Sequence, residues 1–454
     1  MSQKVHLIAI GGSIMHNLAL ELKDQGYLVS GSDDQIYEPA RTRLESAGIL
    51  PNSIGWRPEV LSLEIDIVIL GMHAKKDNPE LIKAQELGLK IYSFPEFVAS
   101  KSLLKKRISI AGSHGKTTTC SMVMHTLKNL GLDFDYLVGA QIEGFNHMVS
   151  LKDAPIIVIE SDEYLSSCID PRPKFLHYIP DIAIITGIAW DHFNVFPTLE
   201  SYENAFVSLI QSMHSQSILI YFEGDQSLVR LVKEHGAHLK TIPYKEAPSK
   251  MVNGNSILLS EGKEYPTNLF GSHNYHNMQA VIELCKCLGL EKESVIQQLS
   301  EFKGSSKRME LLAKGPTKIA YLDFAHSPSK VKATLSAFRE KHPLDKILVL
   351  LELHTYSSLS LEFLPQYHQT TSPADHIILY FDPIAMQIKN MVALKSDDLM
   401  SAFDRYDMDI CTSTEQLKGK LSSRIEDYNV LIFMGSGQFG GIDVKAYAKN
   451  WVRV

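Results

Sequence analysis

The chain has 454 residues, which is too long for one typical hydrophobic core, so two to four domains are expected. A formal charge of −7 argues against a nucleic-acid-binding surface, which needs clustered Lys and Arg. No apolar run approaches ~20 residues and the N-terminus lacks a signal-peptide pattern, so we expect a cytoplasmic protein that binds no membrane. The five cysteines are scattered, which indicates free thiols. Composition leaves a monomer and a dimer equally open.

The first hundred residues begin with a βαβ pattern. Lys4–Ile10 is an apolar run typical of a buried parallel strand, and the turn at Gly11 and Gly12 leads into a helical pattern. A second strand, Tyr27–Ser30, runs toward Asp33, so an acidic residue follows the glycine turn by about twenty positions. That arrangement is typical of a site that binds a ribose and its phosphates.

The fingerprint of such a site is incomplete, because Ala9 and Ile14 stand where its first and last glycines would be. A βαβ unit without a ligand is therefore an equally good interpretation of this stretch. Further strands are predicted at Ile65–Leu70 and Leu89–Ser93. The segment Pro95–Arg107 is interpreted as a hinge into the next domain.

A glycine loop follows an apolar strand in the next part of the chain. Gly112–Thr118 reads Gly-Ser-His-Gly-Lys-Thr-Thr, and Met122–Leu130 is predicted as the helix that this loop opens. The backbone N–H groups of such a loop bind phosphate oxygens, Lys116 adds a positive charge, and the Thr117 hydroxyl can ligate Mg²⁺. The strict phosphate-loop pattern is not met, because its first glycine would fall at Ile110. An ordinary strand-to-helix turn would not need the order Gly-Lys-Thr, so we favour phosphate binding.

Carboxylates and a histidine follow the next two predicted strands. Pro155–Ile159 is apolar and leads into Glu160 and Glu163, where a magnesium ligand belongs in a phosphate-binding sheet. Ile182–Thr186 is a further strand whose continuation reaches His192. Acidic residues in a loop are often only a solvated surface, and a lone histidine is more often structural. Both assignments therefore depend on the phosphate loop upstream.

Two asparagines mark a helix in the middle of the chain. Ser256–Asn268 predicts short strands with turns, and a helix then runs to Leu288. Asn274 and Asn277 are three positions apart on that helix and share a face. Amides both donate and accept hydrogen bonds, which suits an adenine edge or a ribose. Helix capping is the alternative, but a cap does not require the second asparagine.

From about Ser305 the alternation of strands and helices begins again, which predicts another α/β unit. Its predicted strands are Lys318–Asp323, Ile347–Leu351, His376–Tyr380 and Val430–Met434. Polar groups follow three of these strands, at Asp323–Pro328, Glu352–His354 and Gly435–Gly437. A cap before Pro328 would explain Asp323 and His326. Three such strand ends on one edge favour a binding cleft instead.

Together these motifs resemble the Mur ligase family, the ATP-dependent ligases that attach amino acids or peptides to UDP-N-acetylmuramate. The resemblance covers essentially the whole chain and is carried by Gly112–Thr118, Glu160–Glu163, Asp191–His192, Gly271–Asn277, Lys307–Glu310 and Asp323–Pro328. It implies an α/β protein of three domains. These are a Rossmann-like UDP-sugar-binding domain at 1–105, a central ATP-binding P-loop domain at 106–304 and a Rossmann-like acceptor-binding domain at 305–454.

The same resemblance implies ATP and Mg²⁺ as cofactors and a role for each candidate residue. The residues expected to be catalytic are Lys116, Glu160, His192, Arg308 and Asp323. The expected Mg²⁺ ligands are Thr117, Glu160 and His192. Contacts to ATP are expected from Gly112, Ser113, His114, Gly115, Lys116, Thr117, Thr118, His273, Asn274, Asn277, Arg308 and Asp323. Contacts to the UDP-sugar are expected from Gly11, Gly12, Ser32, Asp33 and His73.

The implied reaction activates the carboxylate of UDP-N-acetylmuramate as an acyl phosphate, which an amine then attacks. The stretches Asp162–Pro180 and Gly437–Ile442 favour L-alanyl-γ-D-glutamyl-meso-diaminopimelate as the amine, and L-alanine is the alternative. Departures from the family pattern concern the acceptor end and occur at Lys307, Leu322, Ser327 and Thr355. A catalytically inactive UDP-sugar-binding homologue is a more distant alternative, and an NAD-dependent oxidoreductase is disfavoured.

Overall fold

A computed structural model describes residues 2–190, 195–305, 307–389, 391–424 and 426–453. The chain divides into two compact units. The first comprises Met1–Ile188, Glu200–Lys245 and Ala280–Glu291, and the second comprises Ala189–Leu199, Glu246–Gln279 and Lys292–Val454. The predicted domain boundaries at 105/106 and 304/305 stay predictions.

The first sheet of the first unit is a parallel sheet with the strand order β2-β1-β3-β4. Its strands are β1 (Lys4–Ile8), β2 (Leu28–Ser32), β3 (Ile67–Leu70) and β4 (Ile91–Ser93). The accompanying helices are α1 (Ser13–Asp24), α2 (Ala40–Ser46), α3 (Pro79–Glu86) and α4 (Phe94–Lys101), with a 3₁₀ turn at Pro58–Val60. The four strands predicted from apolar runs are confirmed, with ends that differ by up to two residues.

The hinge expected at Pro95–Arg107 is wrong for most of its length, because α4 occupies residues 94–101. Ser93 caps this helix: its hydroxyl accepts from the backbone N–H of Glu96, whose carboxylate accepts from the backbone N–H of Ser93. Such a capping box satisfies two N–H groups at a helix start, and Pro95 fits the first turn, where it removes no needed hydrogen bond. A helix is therefore favoured over a flexible linker.

The second sheet of the first unit has the order β11-β10-β9-β5-β8-β6-β7, with β7 antiparallel to β6 and the other pairs parallel. Its strands are β5 (Lys106–Ala111), β6 (Asp135–Leu137), β7 (Val149–Ser150), β8 (Ile156–Glu160), β9 (Ile182–Ile185), β10 (Ile218–Phe222) and β11 (Lys240–Tyr244). Its helices are α5 (Lys116–Asn129), α6 (Leu199–Ser212) and α7 (Gln226–His235), with a 3₁₀ turn at Lys174–His177. Because β5 lies between β9 and β8, the segments that follow these three strands meet at one edge.

The second unit contains a small antiparallel sheet of β12 (Ser249–Val252), β13 (Asn255–Ser260) and β14 (Lys263–Thr267). Helices α8 (Ser272–Cys287) and α9 (Lys292–Glu301) follow in the chain. The larger sheet has the order β15-β16-β20-β17-β18-β19, and its edge strand β15 is antiparallel. Its strands are β15 (Glu310–Lys314), β16 (Ile319–Asp323), β17 (Ile347–Glu352), β18 (His376–Tyr380), β19 (Asp409–Cys411) and β20 (Val430–Met434).

Helices cover both faces of this larger sheet, as buried parallel strands require. On one face α10 (Pro328–Lys341) and α12 (Ser396–Phe403) pack on side chains such as Val349 and Ile432. On the other face α13 (Thr414–Ser423) and α14 (Val444–Trp451) pack on side chains such as Leu350 and Phe433. The remaining elements are the helix α11 (Pro383–Ile388) and 3₁₀ turns at Ser357–Leu359, Leu364–Tyr367 and Phe439–Gly441.

Nowhere in the described ranges is a helix both long enough and apolar enough to cross a membrane.

Candidate phosphate-binding site and its surroundings

The glycine loop after β5 has a backbone that only glycine accommodates. Gly112 has φ +125°, and a Cβ there would lie 2.4 Å from the hydroxyl oxygen of Thr186. Gly115 is left-handed, with φ +76°, and precedes α5. The helix thus begins at Lys116, six positions before the predicted Met122, because the left-handed glycine turns the chain into the helix at once. Its first N–H groups have no partner within the helix and are available to anionic oxygens.

The side chain of Lys116 is held beside this loop by contacts with the protein. Its Nζ donates to the backbone carbonyl of Gly112 at 2.7 Å and to Oε2 of Glu163 at 2.9 Å. Oδ1 of Asp162 lies 3.6 Å away. Burial by itself would lower the pKa of Lys116, but the negative charges of Glu163 and Asp162 outweigh it and raise that pKa. The ammonium is therefore charged at neutral pH and fixed in direction.

Thr117 and Glu160 form the second contact of the site. The Thr117 hydroxyl donates to Oε1 of Glu160 at 2.6 Å, and the backbone N–H of Gly139 donates to Oε2 at 2.7 Å. Burial, and next the charge of Asp162, raise the pKa of Glu160. A bound cation would offset the free-energy cost of ionising this buried carboxylate.

Hydroxyl and carboxylate oxygens are the ligands that Mg²⁺ prefers. In the ranges that the structure describes, His, Cys, Asp and Glu form no group of three that could hold a metal ion. Mg²⁺ keeps several waters and takes phosphate oxygens beside one or two protein ligands, and Thr117 and Glu160 supply two such oxygens. Thr117 and Glu160 therefore fit the expected ion. The third expected ligand, His192, lies outside the described residues, as does Asp191.

Two further side chains support the loop and were not singled out from the sequence. The Thr186 hydroxyl, just after β9, donates to the backbone carbonyls of Ala111 and His114. The Tyr202 hydroxyl, on α6, lies 2.8 Å from that of Ser113 and donates to Oε1 of Glu163 at 3.2 Å. A lone threonine or tyrosine carries no local sequence signal for such a contact, which exists only once the sheet has formed.

The residues expected to bind the UDP-sugar lie at one end of the first sheet. The backbone N–H of Gly11 donates to Oδ2 of Asp33 at 2.8 Å, so the two predicted residues meet. Burial, with a smaller contribution from Asp34, raises the pKa of Asp33 to about 6. Ser32 is buried at the end of β2, Gly12 directly precedes α1, and His73 is exposed.

In the second unit, the two predicted asparagines are both buried on α8. The Asn274 side chain donates to the carbonyl of Phe270 at 2.8 Å, so one of its amide hydrogens serves the helix start. Burial, followed by the nearby charges of His276 and Arg308, lowers the pKa of His273 to about 4, so its ring is neutral at pH 7. A cap accepts a hydrogen bond from a backbone N–H, whereas the Asn274 amide donates to a carbonyl, so this contact is not the capping that the alternative interpretation expected.

Asp323 fixes the turn that carries Arg308. Its Oδ2 accepts from the backbone N–H of Met309 at 2.8 Å and its Oδ1 from that of Ala325 at 2.8 Å. The guanidinium of Arg308 stacks over the ring of Phe324, 4.8 Å from its centroid. The geometry makes Asp323 a buried support for Arg308.

Three polar strand ends do share one edge of the larger sheet, as expected. Asp323 ends β16, Glu352 ends β17, and Gly435 follows β20, which lies between those two strands. Glu352 is buried and accepts from the backbone N–H of Phe439 at 3.1 Å, so it holds the loop after β20. A Cβ at Gly437 would lie 2.4 Å from the Glu352 carboxylate, so a larger residue there would displace that side chain.

Comparison with known proteins finds the same family in both matched parts of the chain. A family model described as the Mur ligase middle domain matches residues 110–285, and one described as the catalytic domain of the Mur ligase family matches residues 4–105. A UDP-N-acetylmuramate–L-alanine ligase of Caldicellulosiruptor bescii is 31% identical over 414 residues, which span 87% of this chain and 87% of the relative.

A UDP-N-acetylmuramate–L-alanyl-γ-D-glutamyl-meso-2,6-diaminoheptandioate ligase of Haemophilus influenzae is 30% identical over 349 residues, 74% of this chain and 76% of the relative. The crystal structure of the UDP-N-acetylmuramate–alanine ligase of Thermotoga maritima has a TM-score of 0.72 at 23% identity, covering 98% of this chain and 99% of that chain. That likeness concerns the fold.

Proposed function

The chain belongs to the Mur ligase family of ATP-dependent amide ligases of peptidoglycan synthesis, and we propose that it joins the carboxylate of UDP-N-acetylmuramate to the amine of L-alanine. The tripeptide acceptor favoured by the sequence is not confirmed. The relatives found at this level of similarity mostly carry the name of the L-alanine ligase, which supports the alternative. Both acceptors present the amine of an L-alanine residue, free or at a peptide's start, so both form the same amide bond.

The observation that carries the ATP-dependent step of this proposal is the pair of contacts on the Gly112–Thr118 loop. Lys116 is directed by Glu163, and Thr117 by Glu160, so a cation and a pair of oxygen ligands lie side by side at the start of a helix. Transfer of a phosphoryl group needs charge neutralisation and positioning more than covalent chemistry. Thr117 and Glu160, with His192 as the expected third ligand, would hold Mg²⁺, and ATP supplies the phosphoryl group that makes the carboxylate reactive.

The remaining predicted residues receive roles by the same proposal. Gly11, Gly12, Ser32 and Asp33, with His73 nearby, bind the UDP part of the substrate. Asn274 and Asn277, together with Arg308 and Asp323, are the residues of the second unit that we propose contact ATP. Asp33, Asn274 and Asp323 are already oriented by protein contacts, which reduces the cost of binding.

The test is release of phosphate from ATP in the presence of UDP-N-acetylmuramate and one acceptor at a time. We expect L-alanine to give a ligated product with the highest kcat/KM. No product with any acceptor, although UDP-N-acetylmuramate binds, would instead identify an inactive homologue. The presence of Lys116, Thr117 and Glu160 in contact with their partners argues against that outcome.

The tripeptide L-alanyl-γ-D-glutamyl-meso-diaminopimelate is the second candidate acceptor, because the Haemophilus influenzae relative carries this activity in its name. The segment Asp162–Pro180 also supports it, because its sequence resembles that of the tripeptide ligases. There Arg172 donates to Asp170 at 2.9 and 2.7 Å, and His177 lies 3.2 Å from the same carboxylate. A higher kcat/KM for the tripeptide than for L-alanine would select this candidate.

A further inference from the structure

We propose that Glu163 and Tyr202 act together as positioning residues for Lys116, and that they set the shape of the Gly112–Thr118 loop before nucleotide binds. This inference rests on the proposed role of that loop in ATP binding. It assigns Glu163 a task different from that of Glu160, although the two carboxylates lie three positions apart in the chain.

The contacts form a closed ring. Nζ of Lys116 donates to Oε2 of Glu163 at 2.9 Å, and the Tyr202 hydroxyl donates to Oε1 of the same carboxylate at 3.2 Å. The hydroxyls of Tyr202 and Ser113 are 2.8 Å apart. Because Ser113 and Lys116 belong to the same loop, the ring fixes both ends of the loop against one carboxylate and one phenol.

The supporting groups are rigid. Glu163 and Tyr202 are each 0% exposed and Ser113 is 3% exposed. The Tyr202 ring packs edge-to-face on Phe206 at 5.3 Å, and Phe206 packs on Phe175 at 5.6 Å. A carboxylate removed from water in this way is stable only beside a cation and hydrogen-bond donors. The ion pair therefore fixes the positions of both Glu163 and Lys116.

The two glutamates have different hydrogen-bond partners, which gives them different roles. Glu160 faces Thr117 and the backbone of Gly139, whereas Glu163 faces Lys116 and Tyr202. Glu160 is thus placed beside the expected cation site, and Glu163 directs the loop's own positive charge. A lysine side chain has several rotatable bonds and therefore many conformations. Restricting them before binding lowers the entropic cost of contacting a phosphate.

Two variants and one matched control are compared first. Glu163→Gln keeps the shape and removes the charge, and Tyr202→Phe removes only the hydroxyl. Glu203→Gln is the matched control, because Glu203 neighbours Tyr202 on α6 but pairs with Arg230 at 2.5 Å. Binding of the non-hydrolysable ATP analogue AMP-PNP with Mg²⁺, and of UDP-N-acetylmuramate without nucleotide, is measured by calorimetry for each.

We expect Glu163→Gln and Tyr202→Phe to weaken AMP-PNP binding by roughly 10-fold and to lower kcat by roughly 10-fold to 100-fold. Affinity for UDP-N-acetylmuramate should stay within about twofold, and the control should match wild type. A double-mutant cycle between Ser113→Ala and Tyr202→Phe should be non-additive, since both break one ring.

Unchanged AMP-PNP affinity, or an equal loss for both ligands, would overturn the inference, because a merely structural role affects both. Failure of the wild-type protein to bind AMP-PNP would overturn it as well. The binding measurement needs no acceptor. If the wild type binds AMP-PNP but makes no product, the proposed function fails while the selective loss still decides the role of Glu163 and Tyr202.

Discussion

The Thr117 hydroxyl donates a 2.6 Å hydrogen bond to Glu160, a carboxylate 43 positions further along the chain. The contact forms because β5 and β8 are neighbours in the sheet, so the segments at their ends meet. It places two hard oxygen ligands beside the first turn of α5 and next to Lys116. This relationship defines where the proposed chemistry takes place.

Replacing Thr117 by Val removes the hydroxyl but keeps the side-chain volume. We expect the Mg²⁺ concentration for half-maximal activity to rise and kcat to fall by roughly 10-fold, because a ligand of the cation is lost. Thr117→Ser, which keeps the hydroxyl, serves as the control. The measurement is phosphate release over a Mg²⁺ titration, and an unchanged titration curve for the Val variant would contradict the assigned ligand.

Lys116→Ala is expected to abolish phosphate release while UDP-N-acetylmuramate still binds with an affinity within about twofold of wild type. The matched control is Lys128→Ala on the same helix, whose ammonium donates to the carbonyl of Gly144 at 2.9 Å. Both quantities are measured on the same preparations. Full activity in Lys116→Ala would remove the basis for phosphate binding at this loop.

Variants of Asp323 and Arg308 should distinguish a residue that stabilises the fold from a residue that contacts the substrate. Asp323→Ala leaves the half-buried N–H group of Met309 and the buried N–H group of Ala325 without their acceptor, at a cost of about 1–3 kcal/mol in unfolding free energy. Arg308→Ala leaves the turn intact and should lower activity with little loss of stability. Melting temperatures and kcat/KM of both variants distinguish the two cases. Equal melting temperatures for both variants would contradict a supporting role for Asp323.

Asp33 makes stability depend on pH. Burial raises its pKa from 3.8 to about 6, so the folded chain binds this proton more tightly than the unfolded chain. The resulting stabilisation is complete below pH 3.8 and is lost as the pH rises through about 6. Asn cannot ionise but can still accept from Gly11.

The stability of Asp33→Asn relative to wild type should therefore increase between about pH 4 and pH 7 and stay constant above that range. Differential scanning calorimetry of both proteins at several pH values tests this. A stability difference that does not change with pH would show that Asp33 is not buried as an acid.

The strands of the fold were largely predictable from the sequence, because buried parallel strands are continuous apolar runs. His376–Tyr380 and Val430–Met434 were predicted with the ends that the structure shows. Short or edge strands such as β7 and β19 carry too few residues for such a pattern. Pro95 and the basic residues after the helix α4 are typical of a linker, so the sequence predicts a hinge there although the capping pair Ser93 and Glu96 favours a helix.

The site was predictable only in part. Lys116, Thr117 and Glu160 lie in motifs whose order along the chain indicates their chemistry. The residues alone leave open which of Glu160 and Glu163 faces Thr117, since both follow the same strand. The resemblance favours Glu160, and the structure shows Glu160 beside Thr117 and Glu163 beside Lys116. Tyr202 is 39 positions from Glu163 and lies in an ordinary amphipathic helix, so nothing local marked it.

The central claim is that the carboxylate of UDP-N-acetylmuramate is activated by phosphorylation at this loop, and oxygen-isotope transfer tests it most directly. UDP-N-acetylmuramate with ¹⁸O in its lactyl carboxylate is turned over with ATP and L-alanine, and the released phosphate is analysed by mass spectrometry. Attack of that carboxylate on the γ-phosphorus predicts one ¹⁸O in each phosphate released. Unlabelled phosphate, with both labelled oxygens retained outside it, would contradict the account.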